Sequence, residues 1–467
     1  MKFASFRNAR VVRSDWLEEG GRRLDCNPYM SGALEARDAL RLLSERKDKL
    51  ADVTTGIFDS GRESRSWVDD RRYGVPFMGS SAIGLADLST LPLISKKQVE
   101  RNPRLLLKES WSLITRSGTI GRMAYVRPDM AGMACSEDVL RVVPDESKIL
   151  PGYLYAFLSS KYGVPLVVAG TYGAIIQHIE PEHIANLPVP RFGHDFERKV
   201  DLLVAQAANK RDKANYILRE AISELISTLR LANLRAVPSS TPFSVSIAPA
   251  VDVQYRLDAF FHSSYHRQAI AALESSGADL SPLRSVVTGI EEPNRFKRIV
   301  LDGDTAGIPL FGTSAIFWND PEPSYRLPSR LAAHCIVSRK TLLVPRSGQL
   351  SGVIGRTVLP YGRIIGGAVS EDAIRIHCHS EEDAGFLFVF LSCECGIRQL
   401  KARAFGTSIP HLDVRQIGDC TVLARSHPLW KRLGHRGLNV SALRSQAIDL
   451  ENLARKIVEA KIKSEED

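Results

Sequence analysis

Two short segments carry the most suggestive chemistry in this sequence. Arg116-Ser117-Gly118 and Arg346-Ser347-Gly348 each follow an apolar, strand-like run. An arginine placed there can grip a guanine edge or a phosphate through two parallel hydrogen bonds. It can equally pair with an acid at the end of a sheet. Upstream, Arg62, Arg65, Arg71 and Arg72 crowd one loop, and Arg295, Lys297 and Arg298 crowd another. Clustered cations of this kind track phosphates, and the plain alternative is a solvated surface loop. Tyr172, Gln177 and His178 correspond to Phe405, Pro410 and His411. A tight glycine turn carrying an aromatic beside a strand end can hold a DNA-reading loop in place. The two histidines read as turn or core residues.

Familiar catalytic patterns are missing. There is no Walker loop, no Gly-x-Gly-x-x-Gly after a strand, no His-Glu-x-x-His and no Gly-x-Ser-x-Gly. Cys26-Asn27-Pro28-Tyr29 has part of the Asn-Pro-Pro-aromatic pattern of adenine methyltransferases, but it lacks the second proline and no glycine-rich loop precedes it. It reads as a strand or turn entry. His377-Cys378-His379 alternates across a strand, so its histidines and its cysteine face opposite sides, which is poor geometry for one ion. The 7 cysteines are odd in number and form no Cys-x-x-Cys pair. Reduced, buried thiols fit better than disulfides or zinc.

The 467 residues are 44% hydrophobic and 25% charged, which is globular composition and predicts two or three domains. The net charge of +9 permits a nucleic-acid partner without requiring one. Most of that excess lies outside the long helical stretches described below. The opening residues lack the apolar run of a signal peptide. The most apolar stretch, Phe386 to Leu391, is too short to span a bilayer. A soluble, cytoplasmic protein without a membrane partner is the expectation.

The elements that would position these residues occur twice. Arg23-Leu24-Asp25 recurs at Arg256-Leu257-Asp258, and Thr55-Gly56-Ile57 at Thr288-Gly289-Ile290, both 233 residues on. Gly74 through Ile83 recurs as Gly307 through Ile316 at that spacing, Ser136-Glu137-Asp138 as Ser370-Glu371-Asp372 at 234, and the Arg-Ser-Gly segments at 230. One nearly constant register identifies a duplication. In each copy, short apolar runs such as 112–115 and 139–143 read as strands, and patches such as 152–161 and 385–393 read as helix. Each copy then ends in a long helix. The first carries an apolar stripe from Phe196 to Leu229, with Leu203, Ala207, Ile217, Leu218, Ile222 and Leu225 in it. The second shows Leu443, Ala447, Leu450, Ala454 and Ile457 at coiled-coil spacing. These seam residues are candidates for holding the other helix or a docking subunit. Gly434 and Gly437 are expected to fray or kink the second helix. The fold class is α+β: two mixed domains, 1–191 and 237–424, with helices at 192–236 and 425–467 packing as an antiparallel coiled coil.

This alternation of mixed domain and long helix resembles the specificity subunit of type I restriction-modification systems. The resemblance rests on Arg116 through Arg122, on Gly173 through Ile176 followed by Ile184 through Pro190, on the Arg-Leu-Asp openings and on the two helices. The second copy departs from the pattern at Gly418 through Leu423, which lacks the Leu-Pro-x-Pro ending, so a divergent phage-defence relative stands beside a standard system. The resemblance implies a non-catalytic chain that reads the two halves of a bipartite site on double-stranded DNA. Two methyltransferase subunits would dock along the helices and bring S-adenosylmethionine, which this chain itself does not bind. A translocating nuclease subunit can join. The competing expectations are a self-sufficient adenine methyltransferase using Asn27-Pro28-Tyr29, and a protein-binding adaptor.

Overall fold

The structure, a computed structural model, describes residues 12–19, 27–169, 178–231, 234, 245, 247–295, 297–301 and 307–464. Arg23-Leu24-Asp25, Cys26, Tyr172, Gly173 through Ile176 and Gln177 lie outside them. The chain divides into two compact units, Met1–Asp212 with Gln446–Asp467, and Lys213–Ser445.

The first unit holds two four-stranded sheets. In the main sheet the order is Thr54–Phe58, Val139–Pro144, Ser112–Thr115, Met123–Tyr125, all antiparallel. In the smaller sheet it is Trp67–Val68, Leu93–Ser95, Gly74–Met78, Ala134–Cys135, with the last pair parallel. The two interior strands of the main sheet, Val139–Pro144 and Ser112–Thr115, are almost wholly buried because both of their faces are covered, although Arg141, Ser112 and Thr115 interrupt their apolar residues. The helix Pro151–Leu158 fills the core beneath the main sheet with Tyr153, Leu154, Phe157 and Leu158.

The second unit repeats this plan with fewer strands. Gly289–Glu291, Ala373–His377 and Thr341–Pro345 form its main sheet; Tyr325–Leu327, Ile308–Phe311 and Ala368–Val369 form the smaller one, again with a parallel last pair. The registers agree as well as the orders. Lys47 faces Pro190 as Leu280 faces Leu423, and Phe77 faces Ala134 as Leu310 faces Ala368. Within each unit the duplication read from residue spacing is therefore a duplication of strand pairing.

The long helices are His194–Thr228 and Leu429–Lys463, 35 residues each. Each unit contains one half of each, running antiparallel. In the first unit Lys210 donates to Gln446 Oε1 (2.8 Å) and Lys461 reaches Glu45 (3.4 Å). In the second unit Glu224 receives Arg432 (2.5 Å) and Arg436 (2.9 Å), and Arg444 donates to Asn215 Oδ1 (3.2 Å). Mixed domains with a pair of antiparallel long helices are the architecture expected from the sequence. The second helix is uninterrupted at Gly434 and Gly437, contrary to the expected fraying. Those glycines serve close approach instead. A Cβ on Gly385, in the core helix Glu381–Ser392, would collide with the Gly434 carbonyl oxygen, and one on Gly437 with the Gly385 carbonyl oxygen. Gly152 takes the equivalent place in the first unit, where a Cβ would lie 2.8 Å from the Asp201 carbonyl oxygen. Its N–H donates to Asp201 Oδ1 at 2.7 Å.

One buried ion cluster joins the helices inside the first unit. Glu451, 3% exposed, accepts from Arg455 (3.2 Å), pairs with Arg211 and takes the Tyr155 hydroxyl hydrogen. Burial alone would raise its pKa, but the two guanidiniums outweigh that and hold the carboxyl down at about 2.

Two measurements check this packing. Gly385→Ala forces a methyl against backbone, so it should cost about 1–3 kcal/mol and lower the melting temperature by several degrees, whereas Gly289→Ala, which meets nothing within 4 Å, should change it little. Because the folded-state carboxyl of Glu451 titrates below its unfolded value of 4.5, its contribution is complete above that pH and disappears as pH falls toward 2. Unfolding curves between those limits should be steeper in pH for the wild type than for Glu451→Gln, by on the order of 3 kcal/mol in total.

Candidate nucleic-acid interface

In each unit a Ser-Glu-Asp turn carries the chain from the smaller sheet into the centre of the main sheet. In the first unit it links Ala134–Cys135 to Val139–Pro144; in the second it links Ala368–Val369 to Ala373–His377. The serine hydroxyl accepts the aspartate N–H in both, at 3.0 Å for Ser136 and 3.3 Å for Ser370.

Beneath each turn lies a sealed arginine that sequence reasoning missed. Arg141 donates to the carbonyls of Ser136 (2.8 Å), Val139 (2.6 Å) and Cys135. Arg375 does the same to Ser370 (3.0 Å), Ala373 and Val369. Both side chains are buried, and burial lowers both pKa values. An arginine inside Val-Leu-Arg-Val-Val or Ala-Ile-Arg-Ile-His reads as a residue on an outward face. The available signal was its return 234 residues later, three residues after the Ser-Glu-Asp repeat in each copy.

Above the turn sit several of the cationic candidates. Arg65 Nη2 contacts Glu137 Oε2 (3.1 Å) and Oε1 (3.2 Å), with its guanidinium 5.0 Å from the Phe77 ring centre. Arg298 Nη2 contacts both Glu371 oxygens at 2.9 Å. Burial works to raise the Glu371 carboxyl, yet its own backbone N–H and Arg298 leave it below the usual range. The Arg-Ser-Gly segments dock on the same turn. Arg116 N–H donates to the Asp138 carbonyl (2.9 Å), and Arg346 N–H to the Asp372 carbonyl (2.7 Å). The side chain of Arg116 pairs with Glu180 and Asp59 (3.3 Å); that of Arg346 pairs with Glu292 (2.7 Å) and Asp372 (3.8 Å). Of the two roles the sequence allowed these arginines, pairing with acids at the sheet end is the one seen. Ser117 Oγ donates to Asp138 Oδ1 (2.5 Å) while the Ser117 backbone forms a β-bridge with His178, and Ser347 Oγ meets His411 Nδ1 at 2.8 Å.

The remaining candidates are less constrained. Arg62, Arg295 and Lys297 are exposed and form no ion pair among the described residues. Arg71 donates to the Ser89 carbonyl (3.1 Å), and Arg72 is held by Asp70 (2.6 Å) beside the exposed Tyr73 ring. Tyr73 and the exposed Trp67 were not singled out from the sequence, although aromatics among arginines are a signal for stacking on bases. Phe405 is exposed at the base of a turn, which it closes by reciprocal backbone bonds with His411 (2.9 and 2.7 Å); Gly406 beside it has φ +100°. Tyr172 and Gln177 cannot be placed beside it.

The seam residues, offered by the sequence for holding the other helix or a docking subunit, lie between this chain's own elements. Ala207, Leu218, Leu225, Leu443, Ala447 and Ala454 are buried in their own units' cores, and Leu203, Ile217, Ile222, Leu450 and Ile457 are half-buried. The buried ones are covered by this chain and offer nothing to an outside subunit. Asn27 begins the four-residue helix Asn27–Met30, not a strand, and Tyr29 is buried beside Trp16 and Leu34. His377 faces Glu291 (2.9 Å) while Cys378 is buried. Among the described residues no group of three His, Cys, Asp or Glu side chains is placed to hold a metal, and no helix is long and apolar enough to cross a membrane.

No protein-family model matches the chain, and no curated protein matches it in sequence. Solved structures do. A type I restriction-modification S subunit from M. genitalium aligns at 11% identity and TM-score 0.32, over 91% of this chain and 95% of the other. A chain from a type I R-M system, studied for complex assembly and conformational transition, aligns at 14% identity and TM-score 0.29, over 90% and 98%. The HsdS subunit of Thermoanaerobacter tengcongensis aligns at 14% identity and TM-score 0.28, over 89% and 95%.

The buried arginines give a direct test of the turn. Arg141→Met keeps most of the bulk but removes the guanidinium hydrogen bonds to three carbonyls, so urea unfolding should show a loss of about 3 kcal/mol. Arg72→Met, on an exposed loop, should cost less than about 0.5 kcal/mol.

Proposed function

We propose that this chain is the DNA-specificity subunit of a methylation-based restriction or defence complex, a non-catalytic reader of a bipartite site. The observation that carries this reading is the turn assembly: the same buried arginine, the same Ser-Glu-Asp turn and the same docked Arg-Ser-Gly segment occur in both units. Each assembly is flanked by basic loops at equivalent positions whose sequences differ, Arg62 to Arg72 in one unit and Arg295 to Arg298 in the other. A constant frame with variable cationic edges suits two modules that both follow phosphates while reading different bases.

The helices supply the spacer in this reading. Thirty-five residues give a rod of about 50 Å, long enough to match half-sites on successive major grooves, about 34 Å apart per turn. The methyltransferase subunits, two of them in this proposal, would add S-adenosylmethionine and the adenine chemistry, and a translocating nuclease subunit could complete the complex. Docking would use the exposed helix faces, where Leu202, Tyr216 and Leu453 stand in solvent, and not the buried seam.

Co-expression with an adenine methyltransferase encoded beside this gene, followed by methylome sequencing, should reveal a split, asymmetric motif with modified adenines. Exchanging residues 1–191 for those of a relative should change one half of that motif and leave the other intact. An unbroken short motif, or no motif, overturns the proposal.

A further inference from the structure

We propose that Glu137 and Glu371 are built-in counterions, each occupying the arginine, Arg65 or Arg298, that a DNA phosphate takes over on binding. The inference rests on the DNA-reading role above. It concerns what sets the strength of binding to DNA of any sequence.

The loops around the two pairs differ at most positions, yet the pair itself recurs, at spacings of 233 and 234 residues. In both, the arginine is the outer member. Arg65 is 33% exposed over a carboxylate that is 17% exposed, and Arg298 is 42% exposed over one that is 11% exposed. Both carboxylates are fixed by the turn, with the neighbouring serine hydroxyl 3.3 Å from Glu137 and 3.5 Å from Glu371. Both are contacted end-on, through Nη2 alone. A purely structural bridge gains most from the side-on, two-nitrogen geometry. A partly exposed end-on pair contributes only about 0–1 kcal/mol, little enough for a phosphate to compete with. After exchange, the carboxylate stays under the turn as a negative charge close to the backbone. It therefore opposes binding to every sequence equally, and only a lobe that also finds its bases overcomes it.

The test uses the full chain and a duplex of random sequence, followed by fluorescence anisotropy over roughly 50–200 mM salt. The double variant E137Q/E371Q should bind about tenfold tighter than wild type and depend more steeply on salt. Each freed arginine should add about 0.9 to the slope of log affinity against log salt. R65A/R298A should flatten that slope by a similar amount. Adding R65A/R298A to E137Q/E371Q should abolish the gain, a reversal that a merely structural role for the carboxylates would not produce. If wild type binds and E137Q/E371Q binds no more tightly, the inference is overturned and the DNA-reading role stands. If neither wild type nor any variant binds in a salt-dependent way, that role falls and takes the inference with it. Should a melt show the glutamine variant unfolded, R65A/R298A decides alone: a flattened slope supports the exchange and an unchanged one overturns it.

Discussion

A guanidinium sealed away from water without a carboxylate partner is costly, and each unit of this protein places one at the same point of its main sheet. Arg141 and Arg375 are tolerated because three carbonyls converge on each, all from the turn between the two sheets and the residues beside it. The constraint runs both ways. The arginine needs that particular turn, and the turn gains from the arginine a donor to three of its carbonyls. Once the turn is fixed, its outer side is fixed too: a glutamate at one place and an aspartate at the next. The basic loop and the Arg-Ser-Gly segment then have one way to dock. Several of the cationic residues of either lobe thus trace their position to a side chain that touches no solvent.

The long helices show how far periodicity reaches. Steps of three and four predict an apolar stripe and a partner, and the stripe is buried in each unit. Periodicity does not say which partner. Both a folding partner on the same chain and a separate subunit would select the same leucines, and burial separates the two. Nor could it find the role of Gly434 and Gly437, since helix propensity treats glycine as a weakness. Only the carbonyl of a crossing helix explains why no side chain fits there.

Much of the architecture was legible because a duplication supplies its own control. Short matches such as Arg-Leu-Asp mean little alone, but one offset shared along the chain predicts equivalent strands, and the pairing registers agree within a residue. The site was less legible. Arginines were found by their clustering, yet their partners were not, because Asp59, Glu180 and Glu292 lie far from them in sequence and come together only through the sheets. Arg141 and Arg375 were hidden by the rule that charges face outward. The Ser-Glu-Asp repeat could be seen but given no role until the side chains beneath and above it were in place.

The two copies differ most tellingly at one buried point of the helices. Arg211 and Arg444 are equivalent in the repeat, each buried, but Arg211 meets Glu451 whereas Arg444 meets Asn215. An apolar stripe of alanines and leucines is nearly indifferent to sliding by one heptad, since similar side chains would replace one another. A buried guanidinium is not indifferent. A slide by one heptad would set Arg211 against Arg444 or Val458 and part it from Glu451, an error of about 3–5 kcal/mol for a broken buried pair. The ion pair thus contributes less to the stability of the helices than to the uniqueness of their alignment. For a protein proposed to measure a distance on DNA, alignment is the property that matters: one heptad corresponds to about 10 Å of helix, or about three base pairs. Unlike partners at equivalent positions also keep each half-helix from substituting for the other, which a duplicated sequence would otherwise invite.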